Sequence, residues 1–302
     1  MVTTAAPASQ DFPAAEIARF WNDQPCLTDF LGAKELEDIL DEHDRYKDRN
    51  EPHTAEQIRS IDWNQRRVLE IGPGQGYEAE RIARAGAQYN AIDLTPESIR
   101  RVQTRFRRAG LAFQELSVMN AEAMTFPDNS FDIVFTHGVI HHSPHIDAII
   151  SEIHRILRPG GMMVAMVYHR NSLNYHISIR LLRRAGIFLL LMPGMAKAVS
   201  MLTHEPPDRL AKHLHNLRQD GLQYLTMRHF IHKATDGPEN VYSAVFTDDD
   251  MRALCASFRS VSVSKHFLNE RHFPVLRSML TDAMRARLAA AYGWHLWVTA
   301  TK

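Results

Sequence analysis

Cysteine is scarce in this sequence, and neither sign of charge is in excess. Only Cys26 and Cys255 occur among 302 residues, too few for a disulfide framework, and no cysteine–histidine cluster has zinc-ligand spacing. Lysine plus arginine equals aspartate plus glutamate, at 35 each, so a broad nucleic-acid-binding face is not expected. The chain is therefore expected to work in reducing, cytoplasmic surroundings, without a bound metal and without a nucleic-acid partner.

Signals for export or membrane insertion are lacking as well. The N-terminus has no basic start followed by an apolar core, so it predicts a short disordered tail rather than a signal peptide. One apolar run, residues 186–202, is interrupted by proline, glycine and lysine and is too short and broken for a membrane span. The run is typical of helices buried on a core. The alternative is a surface that touches a membrane, because Arg180, Arg183 and Arg184 flank it.

Short apolar runs alternate with longer amphipathic ones from Arg67 to Tyr168. The apolar runs predict five strands, at 67–71, 89–93, 113–118, 131–136 and 162–168. The amphipathic runs predict three helices, at 78–86, 96–110 and 145–157. The alternation returns near the C-terminus, where Thr247 caps a predicted helix and two more strands follow, at 260–265 and 295–302. Strands of nearly continuous apolar character indicate a parallel sheet covered by helices on both faces.

The pattern divides the chain into four segments. Residues 1–66 are the tail and a helical cap, and residues 67–171 are a Rossmann-like core. Residues 172–238 form a helical lid insertion, and residues 239–302 return to complete the core. The expected fold is thus α/β, with a doubly wound, mostly parallel seven-stranded sheet, a helical N-terminal cap and a helical lid insertion. The strand carboxyl ends then share one edge, where a ligand should bind.

A glycine-rich loop follows the first predicted strand. Gly72, Gly74 and Gly76 alternate with other residues immediately before a helix, and glycine lets a ligand approach the main chain closely. Asp93 ends the next strand, where a carboxylate can bind vicinal ribose hydroxyls. Together these residues predict a site for a nucleotide-like cofactor.

The details of this loop discriminate between cofactors. A dinucleotide site places glycine at the sixth position of the loop, where this sequence has Tyr77, and no P-loop lysine follows the glycines. The pattern, with Glu70 at the end of the strand, is similar to motif I of class I methyltransferases. Their cofactor, S-adenosylmethionine, carries an ammonium and a sulfonium, and a carboxylate such as Glu70 suits that positive charge.

Two further stretches carry the resemblance, which covers about residues 67–168 and, loosely, the last two strands. Residues 120–142 resemble the family's third and fourth strands, and residues 156–166 its Pro-Gly-Gly turn and fifth strand. The family usually has an acidic residue at the adenine amino group, where this chain has Asn120; an amide can still make one hydrogen bond. Ala121 would offer its backbone N–H to the adenine ring. The resemblance also implies cofactor contacts by Leu94 and His137.

The flanks resemble a narrower group, the small-molecule methyltransferases of bacterial biosynthesis. Five blocks carry this likeness, at 20–26, 45–53, 171–176, 235–243 and 293–302. The resemblance implies an N-terminal cap over the cofactor and a helical lid over a small-molecule acceptor. It leaves the acceptor, the accepting atom and the oligomeric state open, although a lipophilic acceptor would suit the apolar run in the lid.

Methyl transfer from a sulfonium is an in-line displacement, in which alignment of the two reactants is the protein's main task. A general base is needed only where the acceptor must lose a proton. His142 is the first candidate and His141 the second, because both follow the fourth strand at the ligand edge. Tyr46 and His53 in the cap are further candidates. The alternative interpretations are a helix cap or cofactor contact for the histidine pair, and an ordinary helix surface for the cap residues.

Three other functions remain open at this point. A nucleic-acid methyltransferase is disfavoured by the neutral charge and by the lack of its catalytic motifs. A cofactor-bound protein that does not methylate could use the same fold. A nicotinamide-dependent dehydrogenase is disfavoured by Tyr77.

Overall fold

The predicted strands assemble into one sheet in the computed structural model of the protein, which describes residues 14–26, 35–203, 205–268 and 280–302. Seven strands lie in the order β3-β2-β1-β4-β5-β7-β6. Their bounds are β1 Arg67–Ile71, β2 Gln88–Asp93, β3 Glu115–Val118, β4 Phe131–His137, β5 Leu157–Tyr168, β6 Ser260–His266 and β7 His295–Thr301. The first five are parallel, and β7 runs antiparallel to both β5 and β6. The predicted seven-stranded, mostly parallel sheet is confirmed.

Helices cover both faces of this sheet and extend from its ligand edge. The helices of the cap and core are α1 Ala14–Asp23, α2 Leu36–Asn50, α3 Pro52–Arg59, α4 Tyr77–Arg84, α5 Pro96–Ala109 and α6 Ile146–Ile156. Those that follow the core are α7 Arg184–Leu189, α8 Met195–Thr203, α9 Pro207–Asp220, α10 Met227–Thr235, α11 Asp248–Leu254 and α12 Asp282–Tyr292. A 3₁₀ turn covers Ile140–His142, and a π-helical segment covers Asn174–Arg183. Most of the predicted N-terminal tail lies outside the described residues.

Two hydrophobic clusters hold the sheet between its helices. Helix α6 buries Ile146, Ile149, Ile150 and Ile153, at the spacing of one helix face, against one side. Val102 and Phe106 of α5 pack on the opposite side. Burial on both faces explains why the central strands are largely apolar.

The turn before β5 differs from its prediction. The sequence predicts a helix that ends at residue 157, a turn at residues 158–161 and a strand at 162–168, but β5 begins at Leu157. The N–H of Gly160 donates to Lys302 O at 3.0 Å, and the N–H of Lys302 donates to Gly161 O at 2.9 Å. The C-terminal strand therefore supplies the hydrogen bonds that extend β5, and these are not visible in the local sequence. The predicted cap is confirmed, because the Thr247 side chain accepts from the Asp250 N–H.

The lid segment forms a cluster of its own beside the sheet. From the apolar run, Ile187, Leu190 and Val199 are buried in this cluster, in keeping with the prediction of helices packed on a core. Phe188 and Met192 remain exposed. Among the described residues, the helices are all too short or too polar to cross a bilayer.

Candidate active site

A cavity of about 310 Å³ opens at the carboxyl edge of the sheet. The glycine loop and the ends of β1, β2 and β4 form its floor, helices α1 and α2 form one wall, and the lid forms another. This is the edge at which doubly wound sheets bind ligands, because helix N-termini and loop backbone converge there.

The three glycines of the loop have different structural roles. Gly72 has φ +72°, and its N–H donates to Ile92 O at 2.8 Å, so it fixes the turn against β2. Gly74 has φ +51° and lines the cavity, and a Cβ added there would meet no atom within 4 Å. Gly76, at φ +77°, is the N-cap of α4 and lies off the cavity. The space beside Gly74 fits a cofactor that lies against the loop backbone.

Asp93 lies at the cavity beside Leu94, at the end of β2. Its Oδ1 accepts hydrogen bonds from the backbone N–H and the hydroxyl of Thr95, both at 2.8 Å. Burial raises the pKa of this carboxyl. The Thr95 bonds fix the carboxyl group so that its other oxygen can accept from a ligand hydroxyl.

The expected adenine contacts line a neighbouring part of the cavity. Asn120 and Ala121 both border it, together with the apolar side chain of Met119. Asn120 Oδ1 accepts from the Glu122 N–H at 3.0 Å, which orients the amide. An apolar slot with one oriented amide suits a planar heterocycle.

The expectation for Glu70 needs a correction. Its side chain is buried away from the cavity and accepts from the Tyr89 hydroxyl at 2.6 Å. Burial is the main cause that raises the pKa of Glu70, to about 8, and so it disfavours the charged form of this carboxyl group. Glu78, two residues after the glycine loop, does border the cavity, and its Oε1 lies 3.1 Å from Lys47 Nζ and 3.4 Å from His137 Nδ1. Its place in the first turn after the loop was the signal that could have identified it.

The two histidines after β4 point in different directions. His141 is fully buried and does not border the cavity; its ring centroid lies 4.0 Å from that of Tyr168. His142 borders the cavity, as expected for the residue further along the loop. Its Nδ1 lies 2.8 Å from Tyr242 O, and its Nε2 lies 3.7 Å from Asp236 Oδ2.

The cap candidates are likewise separated by the fold. Tyr46 borders the cavity. His53 does not, because it stacks between His266 and Phe267, and its Nε2 lies 3.0 Å from His295 Nδ1. A direct contact between His53 and an acceptor is therefore not supported. His137, which was expected to contact the cofactor, lines the cavity beside Glu78, and burial lowers the pKa of its imidazole.

Several cavity residues were missed by the sequence analysis because they come from the cap and the lid. Trp21 of α1 lies edge-on to the His142 ring, at 4.8 Å between centroids. Asp236 accepts from the Tyr168 hydroxyl at 2.9 Å. At the far end Arg183 pairs with Glu205 at 3.0 Å. No local pattern marks these residues, since only the closed fold brings them to one place.

Known proteins share the central part of the chain. The family described as "Methyltransferase domain" matches residues 69–165. A phthiotriol/phenolphthiotriol dimycocerosates methyltransferase of Mycobacterium ulcerans is 34% identical over 48% of this chain and 60% of its own length. A fatty-acid O-methyltransferase of Mycolicibacterium smegmatis is 37% identical over 40% of this chain and 43% of its own. The chain thus matches less than two thirds of the length of these relatives.

A solved structure agrees in fold. A chain from the complex of the Haloferax volcanii Trm112 methyltransferase activator with a candidate methyltransferase covers 86% of this chain and 92% of its own length, with a TM-score of 0.51 and 15% identity. The matched family region contains the strands and loops that build the cavity floor. Residues 69–165 thus match a methyltransferase domain, and the relatives named above share that domain with part of this chain.

Proposed function

We propose that this protein transfers a methyl group from S-adenosylmethionine to a small, lipophilic acceptor. The observation that carries the proposal is that one cavity extends from the glycine loop at Gly74 to the lid at Arg183. A donor at the loop and an acceptor under the lid can therefore meet in the same space. The apolar lining by Trp21, Met166 and Phe267 supports a lipophilic acceptor, and so do the lipid acceptors after which the two mycobacterial relatives are named.

The residues of the chain bind and align the reactants. When bound, S-adenosylmethionine supplies a methyl group that its sulfonium already activates. Asp93 would accept from the ribose hydroxyls, and Asn120 and Ala121 would recognise the adenine. The cap and the lid exclude water from the cavity, which strengthens the electrostatic interactions within it.

His142 is the proposed general base. The carbonyl oxygen of Tyr242 can only accept, so the Nδ1 at 2.8 Å must donate and carry the proton. The lone pair then lies on Nε2, and the Asp236 carboxylate at 3.7 Å would stabilise the imidazolium formed when that lone pair takes a proton.

Access to this lone pair requires a small rearrangement. His142 Nε2 is covered by neighbouring groups and has no hydrogen-bond partner among the described residues. The Trp21 ring lies against the histidine ring. We expect an acceptor hydroxyl to reach Nε2 when the Trp21 side chain turns aside, since catalytic hydrogen bonds often tighten only with substrate bound.

The test is a product assay with a panel of lipophilic alcohols and phenols. Methylated product is measured by mass spectrometry after incubation with S-adenosylmethionine. His142→Gln should cut turnover by about 100- to 10,000-fold and remove the acidic limb of the pH–rate profile. His145→Gln is the matched control, because His145 lies three residues on and outside the cavity.

The results test the role of His142 separately from methyl transfer itself. If His142→Gln turns over within about threefold of the parent, alignment alone carries the reaction. If the parent binds NADH rather than S-adenosylhomocysteine in calorimetry, or methylates no member of the panel, the proposed function is wrong.

The segment boundaries follow from the same arrangement. We propose that residues 1–66 act as the cap, residues 172–238 as the acceptor lid, and residues 67–171 with 239–302 as the cofactor-binding core. Support comes from the lid's separate hydrophobic cluster and from the presence of cap and lid residues around one cavity.

We also propose that the lid collects its acceptor at a membrane surface. Leu181, Leu182, Phe188 and Met192 are exposed beside the cation Arg180. The protein should cosediment with anionic phospholipid vesicles, and replacement of Leu181 and Leu182 by serine should abolish this. Equal cosedimentation of that variant would contradict the proposal.

A further inference from the structure

Three potential metal ligands from distant parts of the chain converge on the cavity wall. Glu51 lies between α2 and α3, His137 ends β4, and His295 begins β7. One ligand atom from each lies within 4.8 Å of the others, and all three residues line the cavity. Donors in a tetrahedral zinc site are about 3.3 Å apart, so an ion would need each atom to move by less than about 1 Å. These three residues are called the His–Glu cluster below.

Within the cluster, His137 has a buried ring nitrogen without a hydrogen-bond partner among the described residues. The side chain is 9% exposed, and the nitrogen is Nε2. Its other ring nitrogen, Nδ1, lies 3.4 Å from Glu78 Oε1. A carboxylate at one nitrogen of an imidazole and an ion at the other is the usual arrangement around a metal-bound histidine.

The surroundings favour a cation. Lys47 Nζ lies 2.7 Å from Glu51 Oε2 and 3.1 Å from Glu78 Oε1, so two carboxylates share one ammonium. A carboxylate has two oxygens, so Glu51 can accept from Lys47 with one and bind an ion with the other. His53 Nε2, 3.0 Å from His295 Nδ1, orients the third ligand.

We infer that the His–Glu cluster binds one divalent transition-metal ion at the wall of the cavity. Two imidazoles with one carboxylate suit zinc, iron(II) or cobalt(II) and disfavour magnesium and calcium, which prefer oxygen ligands. This differs from the expectation of no metal site, because the sequence separates the three ligands widely. It also assigns His137 to the ion rather than to the cofactor.

An ion at this place would hold an oxygen of the acceptor. The cluster and Gly74 line the same cavity, so an alkoxide or phenolate bound to the ion could lie near the methyl donor. A metal ion makes loss of the hydroxyl proton easier, and a base such as His142 or water would take that proton. This role rests on the proposed methyl transfer, whereas ion binding does not.

The test measures ion binding by tag-free protein directly. Zinc, cobalt(II), magnesium and calcium are titrated separately by calorimetry, and cobalt(II) binding is followed by its visible absorption bands. We expect one equivalent of zinc or cobalt to bind at least 100-fold more tightly than magnesium or calcium. Zinc or cobalt should also raise the melting temperature.

Two variants and a control assign the ion to the cluster. His295→Gln and Glu51→Gln should each weaken cobalt binding at least 100-fold and abolish the rise in melting temperature. Both should still bind S-adenosylhomocysteine, which shows that they fold. His213→Gln should bind cobalt like the parent, because His213 is a buried histidine of the lid that hydrogen-bonds Tyr224 and lies away from the cluster.

The results distinguish this inference from the proposed function. No saturable zinc or cobalt binding, equal binding by the two cluster variants, or a preference for magnesium would overturn the metal site. The cluster would then be an ion-pair network built on Lys47. If cobalt binds as expected but no acceptor is methylated, the metal site stands and the proposed reaction fails.

Discussion

Alanine substitutions in the glycine loop should separate its structural role from its ligand role. Gly72→Ala places a Cβ 2.3 Å from Val139 Cγ2 at a φ of +72°. The left-handed backbone costs about 1–2 kcal/mol for alanine, and the overpacking costs about 1–3 kcal/mol more. Gly74→Ala meets no atom within 4 Å, so its free energy of unfolding should fall by only the backbone cost, about 1–2 kcal/mol.

Cofactor affinity should show the reverse order, with the larger loss in Gly74→Ala. The methyl group of Gly74→Ala points into free space at the cavity, where it would displace the cofactor and weaken S-adenosylhomocysteine binding at least tenfold, about 1.4 kcal/mol. Gly110→Ala is the matched control. Gly110 has φ +64°, no atom within 4 Å of its added Cβ, and a place at the C-cap of α5 away from the cavity.

Urea unfolding and calorimetric titration measure the two quantities separately. A double-mutant cycle of Gly72→Ala with Val139→Ala should show a coupling of about 1–3 kcal/mol, since the smaller side chain relieves the overlap. Unchanged affinity in Gly74→Ala would refute the placement of the cofactor against the loop. A Gly72→Ala variant no less stable than Gly110→Ala would refute the constraint by Val139.

Four further predictions follow from the structure. Asp93→Ala should weaken S-adenosylhomocysteine binding by about 1.5–3 kcal/mol in calorimetry, because a hydrogen bond to a charged group is lost; affinity equal to the parent's would contradict this. Burial raises the pKa of Glu70 from 4.5 to about 8. Between these pH values the folded protein keeps a proton that the unfolded chain releases, so the free energy of unfolding should fall as the pH rises from 4.5 to about 8. Glu70→Gln should remove that decline in urea unfolding curves. Burial alone would raise the pKa of Asp44, but the adjacent His43, whose Nδ1 lies 3.7 Å away, and two hydrogen bonds from Arg105 lower it to about 2. The resulting stability is present above pH 3.8 and lost as the pH falls through about 2, and Arg105→Met should flatten this acid limb. In hydrogen exchange the lid, residues 172–238, should be less protected than the central strands in the free protein, and uniform protection would count against a mobile lid.

Local sequence patterns predicted most of the fold. The strand at 67–71 was predicted with the bounds observed, and helix α5 ends within one residue of its prediction. These elements are specified by short-range apolar periodicity and by glycine and proline at their ends, which are properties of neighbouring residues. The glycine pattern also predicted a loop with unusual backbone angles, and all three loop glycines do adopt positive φ.

The sequence predicted only part of the candidate active site. The sequence marked Gly74, Asp93 and His142, each of which ends or follows a strand and lies at the cavity. It attributed the cofactor's counter-charge to Glu70, whose burial and bond to Tyr89 depend on how the sheet packs. The position of Glu78 in the first helical turn after the loop was a signal that the sequence analysis did not use.

By itself the sequence determined the architecture and the edge of the sheet at which a ligand can bind, and it predicted a cofactor class. Only the tertiary structure decided which side chains share that space. His53 and His295 touch across 242 positions of chain, and the His–Glu cluster draws on a cap loop, a central strand and the last strand. Periodicity carries information over a few residues. Ligand sets, ion pairs and pKa shifts depend on distances in space and on exclusion of water, which are set only when the chain has closed around its core.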